Sequence, residues 1–402
     1  MTEAYIFDAV RSPRGKGHRE KGSLRNIKPV HLLSQLYSAL EERNGIDSAD
    51  IQSVILGCVG QVGGQGSDIA KISTLYHGWG EHIEGISVNT FCSSGMTAIG
   101  LAYAKVCSGL TDMVVAGGIE MLSQVPMFAD KGMWFSDTEV IEKTGYTIMG
   151  VSADLIASIE GFSTEELNQY AVQSHQRAAQ ATQKGHFKNS LVPVKSKSRE
   201  TVLEIDECVR PDISMEKLNQ FPPIFESFVK PHTRKQIQER YPNLGKLQHL
   251  HSVGTSPSMA DGASLLLIGS LEKGKALGLE PKAKIRSYDH TSCEPVIMLL
   301  GGQYSAQNAT QKAGLEMKDI GLHNFAEAFS ASCLKYQRDL EIAPDAFNVN
   351  GGTMTMGHAQ GASGAMITTT LIDEMKRRDV QFGLASISGG AGLGAATLLE
   401  LV

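Results

Sequence analysis

"VNTFCSSGMTAIGLAYAKVCSGLTDMVVAGG" (residues 88–118) and "VNGGTMTMGHAQGASGAMITTTLIDEMKRRDVQFGLASISGG" (349–390) follow one plan. Each runs from a strand end to a special residue, Cys92 or His358. It then passes through a small-residue turn into a helix and on to a buried strand. A repeated plan predicts two similar halves. Packed with pseudo-twofold symmetry, such halves bring Cys92 and His358 together.

The surrounding sequence fits this reading. "AYIFDAV" (4–10), "SVILGCV" (53–59), "DMVVAGG" (112–118), "SLLLIG" (264–269) and "FGLASIS" (382–388) are short apolar runs punctuated by glycine, read as strands buried on both faces. Helical stretches at 30–43, 94–108 and 362–378 alternate with them, which predicts an α/β fold with a largely parallel sheet. Residues 121–250 are richer in charge, Gln and Met and are expected to form an insertion or cap. Within it, "STEELNQYAVQSHQRAAQATQKG" (163–185) predicts a helix with Ser163 as N-cap, Glu166 completing a capping box and Gly185 at the stop.

Composition excludes several functions. With 42% hydrophobic and 20% charged residues, the chain can bury a large core and is not disordered. A net charge of -6 without a basic cluster argues against nucleic acid as the main partner. No run approaches the roughly 20 apolar residues of a membrane span, and no signal peptide is visible. The six cysteines (58, 92, 107, 208, 293, 333) are scattered, without CxxC or Cys/His ligand spacing. That suggests no metal site, no disulfide framework and a cytoplasmic location.

Cys92 has two readings on its residues alone. As a nucleophile it would act as a thiolate, which a helix N-terminus stabilises through unpaired N–H groups and the helix dipole. The following "SSG" would let substrate approach and backbone N–H groups face an oxyanion. As a core residue it would be one more small buried hydrophobe. His358, set among glycine and alanine, is either a base beside the thiol or a satisfied core histidine. "SGGAGLG" (388–394) is a phosphate loop or a tight connection.

Seven stretches in order settle on one resemblance: "DAVRSPRGKG" (8–17), "FCSSGMTAI" (91–99), "AGGIEMLSQVPM" (116–127), "MGVSADLIA" (149–157), "AEAFSA" (326–331), "NVNGGTMTMGHAQGASG" (348–364) and "SISGGAGLG" (386–394). Over essentially its whole length the chain resembles the thiolase family of acyl-CoA C-acyltransferases. The resemblance implies two similar βαβαβαββ halves in a five-layer α-β-α-β-α sandwich with an inserted loop domain. Expected boundaries are 1–120 for the first part of the N-terminal half, 121–250 for the insertion, 251–275 for the end of that half and 276–402 for the C-terminal half. It also implies a homodimer or homotetramer, with coenzyme A as substrate or product and no separate cofactor. By resemblance Cys92 carries the acyl group, His358 activates it, and the backbone N–H groups of Cys92 and Gly390 form an oxyanion hole. Residues near Met149 are expected to set acyl specificity.

The departures fall on functional motifs. Ser388 stands where the family has its second, acid/base cysteine, and it or a water is the expected catalytic replacement, although its hydroxyl is a poor match for proton transfer at neutral pH. Ala326 replaces the asparagine that anchors a water at the substrate in the first oxyanion hole, a kind of loss worth about 10²–10³ in rate. Ala359 replaces a proline, and Pro257 stands where a serine is usual in the CoA-binding region. Asn324 would share a strand face with Ala326 and could substitute for the lost amide. Two alternatives follow. One is an acyltransferase or thioester hydrolase whose acceptor needs no α-proton removal; the other is a non-catalytic acyl-CoA-binding subunit, against which the intact Cys92 and His358 argue.

Overall fold

The repeated segments occupy equivalent places in the computed structural model, which describes residues 2–402. The first half runs β1 (Ala4–Arg11), α1 (Pro29–Asn44), β2 (Ser53–Gly57), α2 (Ile69–His77), β3 (Glu84–Val88), α3 (Ser94–Cys107) and β4 (Met113–Met121). The chain then leaves the sheet for the cap, whose main helices are α4 (Met149–Glu160) and α5 (Thr164–Gln183), and returns as β5 (Ala260–Ser270). The second half repeats the order with β6 (Ala283–Ser292), α6 (Gly301–Lys312), β7 (Leu322–Phe325), α7 (Ser330–Asp339), α8 (Gln360–Arg378), β8 (Phe382–Ser388) and β9 (Leu393–Leu401). In place of a strand equivalent to β3 it has a single bridge, His323 to Phe347.

The sheet order is β7-β8-β9-β6-β1-β5-β4-β2-β3. Outward from the short β1–β6 seam, the first half reads β1, β5, β4, β2, β3 and the second reads β6, β9, β8, β7, the same sequence of equivalents. The sheet is mixed, which corrects the expectation of a largely parallel one. Strands β2, β3 and β4 are mutually parallel, as are β7 and β8, but β1, β5, β6 and β9 all pair antiparallel. The reason is connectivity. The tight glycine turn after Ser388 forces β9 back along β8, and β5 re-enters only after the cap.

The apolar strands are buried on both faces because a helical layer covers each. In β5, Leu265 and Leu267 pack with Leu32, Leu36 and Tyr37 of α1, while Leu266 and Ile268 pack with Met96 and Ile99 of α3 and Ile367 of α8. In β9, Leu398 faces Ala306 of α6 and Tyr336 of α7, and Leu399 faces the α3–α8 layer. The layers are therefore α1/α2, sheet, α3/α8, sheet, α6/α7. The helix predicted at 163–185 spans 164–183 with both capping-box bonds present: Glu166 N–H donates to Ser163 Oγ at 3.2 Å and Ser163 N–H to Glu166 Oε2 at 2.8 Å. Gly185 ends it at φ 69°.

Candidate active site

Cys92 lies two residues before α3, and His358 two residues before α8. The N-termini of these central helices touch. A Cβ on Gly95 would fall 2.6 Å from the carbonyl oxygen of Gly361, an approach only glycine allows. Ahead of Cys92, the Asn89 side chain accepts the Phe91 N–H at 2.9 Å, and Phe91 is held at φ 53°. A phenylalanine in this region is a strained outlier, fixed by its surroundings. The Cys92 side chain is buried, with the backbone N–H groups of Cys92 and Gly390 directed at the sulfur. Burial, and then the charge of Glu120, push its thiol up to about 12 against the pull of those N–H groups. This corrects the expectation of a stabilised thiolate: desolvation outweighs the helix terminus, and the resting group is a thiol.

His358 follows Gly357, whose φ of 117° suits glycine, and its main chain is clamped between Ser258 O at 2.7 Å and Ala260 N at 3.2 Å. Nδ1 shares a 2.8 Å hydrogen bond with Ser363 Oγ, leaving Nε2 as the nitrogen available for chemistry. Burial, then the charge of Arg14, lowers its pKa to about 4, so at neutral pH the ring is a neutral base. Arg14 is fully buried beside Arg11 and Asp206. Arg11 takes both Asp206 oxygens, at 2.8 and 2.9 Å, so one carboxylate serves two guanidinium groups.

Sequence reasoning missed Glu120, although it stands inside a quoted motif as the only acid in an apolar strand. It is fully buried and accepts the N–H groups of Val59 (2.9 Å), Gly60 (3.0 Å) and Gly361 (3.0 Å) and the Gln65 amide (2.8 Å). Burial raises its pKa, but four donors leave no room for a proton, and we assign a carboxylate. It ties the loop after β2 to the start of α8.

Cys92, His358, Gly390 and Met149 line one cavity of about 460 Å³. Aromatic side chains from the cap and core, among them Trp134, Tyr146 and Phe329, supply much of the wall, which the sequence reading also missed. Pro257 lines the cavity. Ser388 and Ala326 do not. The Ser388 hydroxyl donates to Leu299 O at 2.8 Å and accepts from Gly302 N–H at 2.9 Å, which fastens β8 to the start of α6. Ala326 is packed in the central core and its N–H donates to Ser386 O. Ala359 is fully buried. The Asn324 amide donates to Ile367 O at 2.9 Å and Thr370 Oγ1 at 3.1 Å, so it is spent on α8 and does not replace the absent amide. Among the described residues no group of three His, Cys, Asp or Glu gathers as metal ligands would.

Residues 4–228 match the family model of the thiolase N-terminal domain, and residues 279–401 that of the thiolase C-terminal domain. A 3-ketoacyl-CoA thiolase of Yersinia pestis is 36% identical over 410 aligned residues, covering all of both chains. One from a Marinomonas species is 34% identical over all of this chain and 98% of its own. Among solved structures, the Bacillus anthracis acetyl-CoA acetyltransferase superposes with a TM-score of 0.87 at 30% identity, over 100% of this chain and 99% of that one. Human mitochondrial 3-ketoacyl-CoA thiolase in complex with CoA gives 0.86 at 27% identity, over 100% and 98%.

Proposed function

This chain belongs to the thiolase family of acyl-CoA C-acyltransferases, and we propose that it cleaves 3-ketoacyl-CoA, or forms it in reverse, through an acyl-Cys92 intermediate with His358 as the base of both half-reactions. The observation that carries this reading is the pairing, on one cavity, of a buried thiol faced by two backbone N–H groups with a neutral imidazole. Nε2 of His358 takes the Cys92 proton as Sγ bonds to the 3-keto carbon. The C2–C3 bond then breaks, its electron pair stays on C2, and C2 takes the proton from His358 to leave as acetyl-CoA. In the second half-reaction His358 takes the proton of the incoming CoA thiol, whose sulfur displaces Sγ. The proton then returns to Cys92. The N–H groups of Cys92 and Gly390 are placed to receive the oxygen of the carbon bonded to Sγ. Since the Ser388 hydroxyl is committed to backbone, His358 is the base on the cavity suited to both steps.

Coenzyme A is the second substrate in this reading. A homodimer or homotetramer is favoured by β3, an edge strand with part-exposed residues that lies beside the exposed Ile72, Leu75 and Tyr76 of α2. All six cysteines are free, which suits the cytoplasm. Among the described residues no helix is long and apolar enough to cross a membrane.

Intact-protein mass spectrometry after mixing with acyl-CoAs, beside Cys92→Ala, tests the reading. An acyl adduct absent from the variant is the expected result. No adduct from any chain length would overturn it.

A further inference from the structure

We propose that the acyl group carried by Cys92 bears an aromatic ring, seated against Phe91, Trp134 and Tyr146. The proposal rests on the acyl-Cys92 reading and adds the substrate class. The chain has 13 Phe, 10 Tyr and 2 Trp, and seven of these line the one cavity that holds Cys92. Aliphatic side chains such as Val59, Leu122, Ile148 and Ile224 share the lining, but the rings of Phe91, Trp134 and Tyr146 are in mutual contact beginning at the residue before Cys92.

The rings are arranged as a ladder beginning at the nucleophile. Phe91 immediately precedes Cys92, with a strained φ of 53°, and its ring lines the same cavity. One side of that ring is closed by the second glycine turn, since a Cβ on Gly390 would lie 3.0 Å from it. Trp134, on the short cap helix Met133–Ser136, sits with its centroid 4.9 Å from Phe91 and its plane inclined by 46°. Tyr146 meets Trp134 edge-on, at 4.8 Å and 84°. Phe128 and Phe135, 4.5 Å apart, extend the wall outward.

Size and charge agree with a ring. CoA shares the cavity of about 460 Å³, since Pro257 also lines it, but an acetyl group, with three heavy atoms, offers few dispersion contacts to the aromatic part of the wall. The one cationic side chain on the lining, Arg210, is exposed, so nothing in the wall calls for an anionic acyl group. A straight alkyl chain would gain burial area alone. A ring adds edge-to-face and offset contacts with Trp134 and Tyr146, a gain of about 3- to 10-fold over a chain of equal area.

The test compares kcat/KM for 3-oxo-5-phenylpentanoyl-CoA, 3-oxooctanoyl-CoA and 3-oxobutanoyl-CoA. We expect the phenyl substrate to exceed the octanoyl one by about 3- to 10-fold, and Trp134→Leu to bring that ratio close to one. Because the ratio is internal, a general loss of activity in the variant does not disturb it. Tyr146→Leu supplies the same comparison should Trp134→Leu fail to fold. A ratio of one or less in the unmodified protein, or a ratio unmoved by both variants, overturns the proposal. Should no substrate turn over, binding decides. Trp79 is buried elsewhere, so Trp134 reports the cavity by its fluorescence in Cys92→Ser titrated with phenylacetyl-CoA and hexanoyl-CoA. Tighter phenylacetyl binding sustains the ring site while the acyl-transfer reading fails; equal or weaker binding sinks the ring site as well.

Discussion

The pH profile of Cys92 acylation separates a neutral base from an ordinary histidine. With the pKa of His358 near 4, about 97% of the ring is neutral at pH 5.5, against roughly 9% for a histidine at 6.5. Between pH 7.5 and 5.5 the single-turnover acylation rate should therefore change by less than about a fifth, whereas an unperturbed base would lose about tenfold. The alkaline side tests the thiol. With Cys92 near 12, about one thiol in 10⁴ is ionised at pH 8, roughly a thousandfold fewer than for a cysteine at 9. Alkylation by iodoacetamide should accordingly rise about tenfold per pH unit from 7 to 10 without a plateau. Rapid-quench mass spectrometry gives both rates, with circular dichroism in the same buffers confirming the fold. Arg14→Met removes the charge that lowers the His358 pKa, so the acid limb should move to higher pH. An acid limb between pH 6 and 7 in the unmodified protein, or an alkylation plateau below pH 9, would refute the assignment of a neutral thiol and imidazole.

Three further changes have expected results. Glu120→Gln places an amide NH2 against backbone donors and leaves at least one buried N–H unpaired. Urea melts should show a loss of about 1–3 kcal/mol, while the alkylation profile of Cys92 moves to lower pH because a charge that raised its pKa is gone. Ser388→Ala deprives Leu299 O and Gly302 N–H of their partner and should cost about 1–2 kcal/mol in thermal or urea unfolding, with the acylation rate within twofold of the unmodified protein. Gly95→Ala forces a methyl against the Gly361 carbonyl at 2.6 Å, so α3 and α8 must part; a loss of about 1–3 kcal/mol with slower acylation is expected.

What the sequence disclosed, and what it hid, follows the range of the interactions involved. The repeat was legible because each half encodes it locally, in a special residue, glycines and a helix start that owe nothing to distant partners. Helix α5 was legible for the same reason, its capping box lying within four residues. The antiparallel strands were not, since the direction of β5 is set by where the cap returns the chain. The orientation of Ser388 was also hidden: its two partners, Leu299 just before α6 and Gly302 in its first turn, are far away in sequence. Cys92 misled most. Its position beside a helix suggests a thiolate, but its ionisation is governed by burial and by Glu120, a residue on another strand.

That ionisation state bears on how catalysis is divided. Pairing a thiol near 12 with an imidazole near 4 makes the free thiolate–imidazolium pair unfavourable by on the order of 10 kcal/mol before their mutual attraction is counted. A resting ion pair is therefore a minor state, and the protein has little reason to react with electrophiles that develop no oxyanion. In the proposed reaction, attack on a thioester or keto carbonyl moves negative charge from sulfur to oxygen, towards the N–H groups of Cys92 and Gly390, while positive charge appears on His358. Those N–H groups lie beside the sulfur, and in the proposed reaction they are the donors that would receive the charge as it moves to oxygen. Burial thus withholds the thiolate until the substrate's carbonyl can take the charge. An acid/base group at position 388 would serve the protonation of C2 and the deprotonation of the CoA thiol, and in the proposed reaction the His358 ring serves both.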